Sequence, residues 1–147
     1  MKKILVFLTS SILSLQSQAS IEGNWTGWGF WAFRNEEDFT RCDLMKMRWL
    51  ETQDALTLAH GFYDCGIVRM EVDPVSWKKK GPNLLDENGQ ISGTYDGQNL
   101  DIKIQSPVEG TQIHISLKRE ANHFDYREIW FNEREKVYII KGRLFTQ

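Results

Sequence analysis

The sequence predicts an all-β protein: one domain built as a single antiparallel up-and-down barrel of about eight to nine strands. Three observations predict it. Apolar residues recur with period two along most of residues 20–147, and no stretch holds helical spacing over ten or more residues. Gly, Asn, Asp and Pro punctuate these runs as turn residues. When neighbouring runs are laid antiparallel, their apolar faces fall opposite one another, which a wrong strand assignment rarely achieves.

The chain opens with Lys2 and Lys3, continues through an apolar stretch from Ile4 to Leu15 and reaches Ser17-Gln18-Ala19. This is the pattern of a secretory signal over 1–19, too short to count as a membrane span, so the mature domain is expected from Ser20. No cysteine precedes Cys42, which closes the acylated-lipoprotein route. Without Lys2 and Lys3 the 18 basic residues fall to 16 against 20 acidic ones, a net charge of about −4. So mild a charge gives no long-range attraction for nucleic acid or anionic lipid. The chain suits one domain, with no internal repeat and no low-complexity tract. Its two cysteines, Cys42 and Cys65, are read as one disulfide, because an exported chain meets an oxidising compartment.

Nine strands are predicted, over 24–34, 40–50, 56–65, 67–73, 90–96, 98–105, 111–119, 123–131 and 137–145. The second and third pair with Trp49 opposite Leu58, Met47 opposite His60 and Met45 opposite Phe62 on one face. Cys42 then meets Cys65 on the other face, at a Cα separation of about 4.5 to 5.5 Å that a disulfide can span. The Asp96-Gly97 pair reads as a two-residue hairpin turn that sets Ile91 opposite Ile102. The next pair puts Leu100, Ile102 and Ile104 against Leu117, Ile115 and Ile113, while Asp101, Lys103, Gln112, His114 and Ser116 point the other way. A meander with one oily face must stack or close, and closure removes exposed edges.

Gly23-Asn24-Trp25 resembles the Gly-x-Trp that begins the first strand of lipocalins and related calycin barrels. The resemblance implies that Trp25 closes the base of the barrel, with Arg143 from the last strand lying across its indole. It also implies an interior cavity for a small, mostly apolar molecule. The Thr-Asp-Tyr signature of that family and its C-terminal helix have no counterpart here.

The candidate ligand wall comes from two strands and the opening aromatic stretch. On the eighth strand Phe124, Tyr126, Glu128 and Trp130 share the face that meets the apolar side of the seventh, which puts a carboxylate among aromatic rings. A buried carboxylate costs several kcal/mol unless paired, so it implies a ligand hydroxyl, an amine or an arginine; a one-residue slip would instead send Glu128 to solvent. Tyr138 joins this wall, with Trp28 and Phe30 across from it. In the first strand Trp28 and Phe30 lie on one face and Trp31 and Phe33 on the other, so one set faces out unless a bulge at Gly27 or Gly29 intervenes. The outward set then serves as packing, as a ligand wall or as a partner-binding patch.

Asp43 falls opposite Asp64, a pair that either holds a calcium ion or is neutralised by Arg41 or Arg69. Residues 73–89 read as the longest connection, carrying Trp77 beside Lys78, Lys79 and Lys80, either a solvated loop, a lid or an anion-docking loop. His60 reads as packed or mouth-lining, and Asn24-Trp25-Thr26 as a glycosylation sequon that a bacterial-type exported chain would leave unused. No catalytic motif, metal site or cofactor is predicted. Two functions follow from the sequence. The first is a periplasmic or secreted, non-catalytic barrel holding a small apolar ligand, and the second is an interaction module, such as an inhibitor of an envelope or foreign hydrolase. Neither needs nucleic acid or an integral membrane segment once the signal is removed.

Overall fold

The computed structural model describes residues 20–34, 38–106, 108–133 and 135–147. The signal predicted over 1–19 lies outside the described residues. Eleven strands follow in order: β1 (Gly23–Phe33), β2 (Phe39–Glu51), β3 (Ala55–Asp64), β4 (Arg69–Val72), β5 (Val75–Lys80), β6 (Asn83–Leu85), β7 (Ile91–Tyr95), β8 (Asn99–Gln105), β9 (Thr111–Arg119), β10 (His123–Asn132) and β11 (Glu135–Thr146). No helix occurs among the described residues. The strands form one antiparallel sheet in the order β2-β1-β11-β10-β9-β8-β7-β6-β5-β3-β4, and β2 also pairs with β3. That extra pairing returns the sheet on itself, so all strands but β4 form a closed ring.

All nine predicted strands are present, and the two additional ones correct the strand count. Residues 73–89 are not a plain connection: they contain the β5–β6 hairpin, with Lys80 paired to Asn83. The run of lysines conceals a period-two pattern in which Val75, Trp77 and Lys79 share a face, with Trp77 fully inside. Trp77 stacks on Trp49 with ring centres 6.4 Å apart.

The pairing of β8 with β9 is as predicted, with Leu100, Ile102 and Ile104 opposite Leu117, Ile115 and Ile113. On the outer side of that pair His114 Nε2 and Asp101 Oδ2 lie 3.0 Å apart. The turn before β8 is displaced: Asp96 pairs with Asn99, leaving Gly97-Gln98 as the two-residue loop. Gly97 sits at φ 94°, the first position of a II′-type turn, where a side chain would be strained. Asp96 accepts the N–H groups of both Gln98 and Asn99 and so fixes this choice. The two-residue shift puts Gly93, not Ile91, opposite Ile102, and a bulge at Ser92 against β6 accompanies the 66 % exposure of Ile91.

One bulge corrects the predicted β2–β3 register, and a second lies between β1 and β2. Gly27 pairs with Met45 and Gly29 with Cys42, so Asp43 and Leu44 together oppose Trp28 alone. Arg48 pairs with His60 and Trp49 with Leu58, so Ala59 is the extra residue in β3. Each extra residue inverts which side chains face in. Cys42 therefore joins Met45, Met47 and Trp49 in the core, and Tyr63 and Cys65 join Leu56 and Leu58. Phe62 and His60 give up the inward positions predicted for them, and His60 is exposed. The two cysteines form the predicted bridge, but inside the ring, with an S–S bond of 2.02 Å.

The interior is filled by long side chains reaching past small ones. A Cβ added at Gly29 or Gly142 would collide with Met45 Sδ, so these neighbours on β1 and β11 leave the space that Met45 occupies. At the base Ile21 is fully buried, its carbonyl accepts the Trp25 indole N–H at 2.8 Å, and its own N–H donates to the Tyr95 hydroxyl at 3.1 Å.

Candidate functional site

Of the two placements the sequence left open for Glu128, the structure has the inward one: it lies inside the ring, 3 % exposed, opposite Ile115 on β9 and Ile140 on β11. Its Oε2 accepts the hydroxyls of Tyr63 at 2.9 Å and Tyr126 at 2.6 Å, and its Oε1 accepts the Trp130 indole N–H at 2.5 Å. The two phenol oxygens are themselves 2.9 Å apart. All these donors are neutral, and among the described residues no lysine, arginine or histidine pairs with this carboxylate. Burial pushes the Tyr63 and Tyr126 hydroxyls well above the ordinary tyrosine value, and the charge of Glu128 adds to it. Both therefore stay protonated and serve as fixed donors.

The structure brings together four of the predicted site residues, Tyr126, Glu128, Trp130 and Tyr138. Tyr138 stacks on Trp130 with centres 4.8 Å apart, and burial, then Glu128, raises its hydroxyl too. Two residues that sequence reasoning missed complete the group. Trp31 packs on Tyr138 at 6.2 Å, and Tyr63 supplies the third donor to Glu128. The signal for Trp31 was available, since it is an even number of residues from the inward Trp25. That for Tyr63 was not, because it depends on the bulge at Ala59. Beside this group, at the disulfide end of the ring, lies a cavity of about 130 Å³ lined by Trp31, Tyr63, Cys65, Val68, Met70, Tyr138 and Ile140. It holds the space of about four waters.

Trp28 and Phe30 are not part of this wall. The alternation of β1 continues unbroken from Trp25, the bulge having been taken by β2, so these two point outward and are 43 % and 37 % exposed. They meet edge to face at 5.8 Å, Phe39 lies 6.1 Å beyond Phe30, and the Arg41 guanidinium sits 5.7 Å over the Trp28 ring. The adjoining outer wall of β11, β10, β9 and β8 carries Lys141, Arg143, Arg127 and Lys118 with Asp125 and Asp101. Together they line a shallow concavity of about 750 Å³.

The arginine across Trp25 is Arg119 from β9, 5.7 Å over the ring, and not Arg143. Arg119 also donates to the Ser20 carbonyl. Arg143 faces outward and makes a two-pronged pair with Asp125 at 2.7 and 3.2 Å. The reason is parity: Arg119 shares the inward face of Leu117, whereas Arg143 alternates with the inward Leu144. Asp43 and Asp64 are likewise not opposite one another, because Leu44 takes that place. Asp43 pairs with Arg41 at 2.7 Å and Asp64 with Arg69 at 3.1 Å, which is the neutralised alternative.

No protein-family model, curated protein or solved structure matches this chain. The reading of function therefore rests on geometry.

Proposed function

We propose that this protein is an exported, non-catalytic interaction module, periplasmic or secreted, whose outer wall along β1 binds an acidic protein such as an envelope or foreign hydrolase. One observation carries the reading: Trp28, Phe30 and Phe39 form a continuous exposed aromatic strip, capped by Arg41. Exposed contiguous aromatics with arginine are what interface centres are made of. The cations beside the strip outnumber the carboxylates lining the concavity, in a chain of net charge −2, so an acidic partner is the complementary one. The charged residues on the outer faces of β2 and β11, among them Arg41, Lys46, Arg48, Lys141 and Arg143, do not suit contact with lipid tails. The intramolecular disulfide fits an oxidising compartment.

The test is a photo-crosslinker placed at Thr26, beside the strip, in the native host, followed by titration of the purified partner. The expected result is one acidic protein, bound about a hundredfold more weakly by a Trp28→Ser, Phe30→Ser variant of unchanged melting temperature. Equal affinity of that variant, or capture of only glycan or lipid, would overturn the reading.

A second reading, storage of a small, mostly apolar ligand in a lipocalin-like barrel, is favoured by the inward aromatic wall and the cavity beside it. At about 130 Å³ this space is below the 300–1,000 Å³ of drug-sized sites, so the ligand, or the part of it that enters, has only a few heavy atoms.

A further inference from the structure

We propose that the cavity at the disulfide end takes a small methylated ammonium group, held by the faces of Trp31, Tyr63 and Tyr138 and counter-charged by Glu128. This rests on the reading that the interior binds a ligand and names its class.

Among the described residues Glu128 is buried with neutral partners only, Tyr63, Tyr126 and Trp130, and no cation is paired with it there. A buried charge of this kind is costly unless something compensates it. The cavity adjoins it through its own walls: Tyr63 lines the space and donates to Oε2, and Tyr138, another lining residue, stacks on the Trp130 that donates to Oε1. A phenol that donates to a carboxylate gains electron density in its ring, which strengthens the attraction of its face for a cation. Three aromatic side chains around one largely apolar space are the ingredients of the cages that recognise quaternary ammonium groups.

The hydrogen bonds decide which cation. The hydroxyl of Tyr63 donates to Glu128, and in the rest of the lining the Tyr138 hydroxyl is the one side-chain oxygen that could accept an N–H, since Trp31, Cys65, Val68, Met70 and Ile140 carry none. A primary ammonium entering there would lose hydration and find few acceptors, whereas a fully methylated one has no N–H to satisfy. The volume fits the same group, since it admits a trimethylammonium head and excludes anything the size of a lipid chain.

The probe is tetramethylammonium chloride at constant ionic strength, set against ammonium chloride and tert-butanol, a neutral molecule of similar shape. Readouts are tryptophan fluorescence and the NMR shift of the Trp130 indole N–H, on the folded, oxidised protein. Tetramethylammonium is expected to saturate the signal, ammonium and tert-butanol to bind at least about tenfold more weakly, and Glu128→Gln to weaken tetramethylammonium by about tenfold or more. Should Glu128→Gln fail to fold, Trp31→Leu, at the half-buried rim, is expected to give the same loss. Saturation by tert-butanol in preference to the cation would overturn this inference while leaving interior binding intact. No response to any probe would overturn both, and tetramethylammonium binding unaltered by the Glu128 and Trp31 substitutions would place the site elsewhere and overturn the assignment.

Discussion

The guanidinium of Arg119 lies 5.7 Å over the indole of Trp25, whose other neighbour is the Phe124 ring at 4.5 Å, so the base of the ring is closed by a residue from β9. Such a pair is worth about 0.5 to 2 kcal/mol, and Arg119 also holds the Ser20 carbonyl. Arg119→Ala is expected to lower the thermal midpoint by several degrees. Arg143→Ala, which removes only an exposed pair with Asp125, is expected to leave it in place. Differential scanning calorimetry of the two variants decides between them, and the opposite order would return Arg143 to the base.

Met45 fills the space left by Gly142, and this contact predicts a coupling. Gly142→Ala puts a methyl group against Met45 Sδ and is expected to cost about 1 to 3 kcal/mol as overpacking. In a Met45→Ala background the same change is expected to cost at least 0.5 kcal/mol less, an interaction energy read from a double-mutant cycle in urea, at about the lower limit seen for residues in contact. Additive effects would show that the two residues do not share that space.

The bridge from Cys42 to Cys65 closes a loop spanning a sequence separation of 23 residues. On the chain-entropy model it stabilises the fold by about 3 kcal/mol. Because both sulfurs are inside the ring, the native protein is expected to resist reduction until it opens. Dithiothreitol should therefore react at the rate of unfolding, measurable by thiol titration with and without urea. Rapid reduction without loss of structure would mean that the sulfurs are accessible.

Stability is expected to fall at both ends of the pH scale through one hydrogen-bonded group at the base. Burial raises the Glu51 carboxyl, but the hydrogen bonds from Lys79 at 2.6 Å, Ser20 at 2.5 Å and Tyr95 at 2.8 Å outweigh it and hold it below the ordinary value of 4.5. Its contribution is complete above that ordinary value and is lost as pH falls through the lower folded value. Burial pushes Tyr95 up to about 12, helped by the Glu51 carboxylate and opposed by the Ile21 N–H. That contribution is complete below 10.0 and is lost as pH rises through about 12. Urea titrations across pH are expected to show a shallower acid limb for Glu51→Gln and a shallower alkaline limb for Tyr95→Phe.

The amino-acid sequence alone determined the all-β class, the nine segments that became strands, the disulfide partners and the β8–β9 register. The disulfide follows from there being two cysteines, and the others follow from alternation, which is a local property: a side chain's face is settled once its neighbours two residues away are known. Tertiary structure decided what alternation cannot encode. Bulges at Asp43-Leu44 and at Ala59 arise where twisted strands must keep pairing around a closing ring, and each inverts the face of everything beyond it. Those two insertions turned the cysteines and Tyr63 inward. The shift taken up by β2 left β1 in phase, with Trp28 and Phe30 outside and Trp31 against the cavity. The hairpin of β5 and β6 was hidden for a related reason. Its lysines report only the solvent side of the strand, and Trp77 acquired its inner side when Trp49 arrived to stack on it.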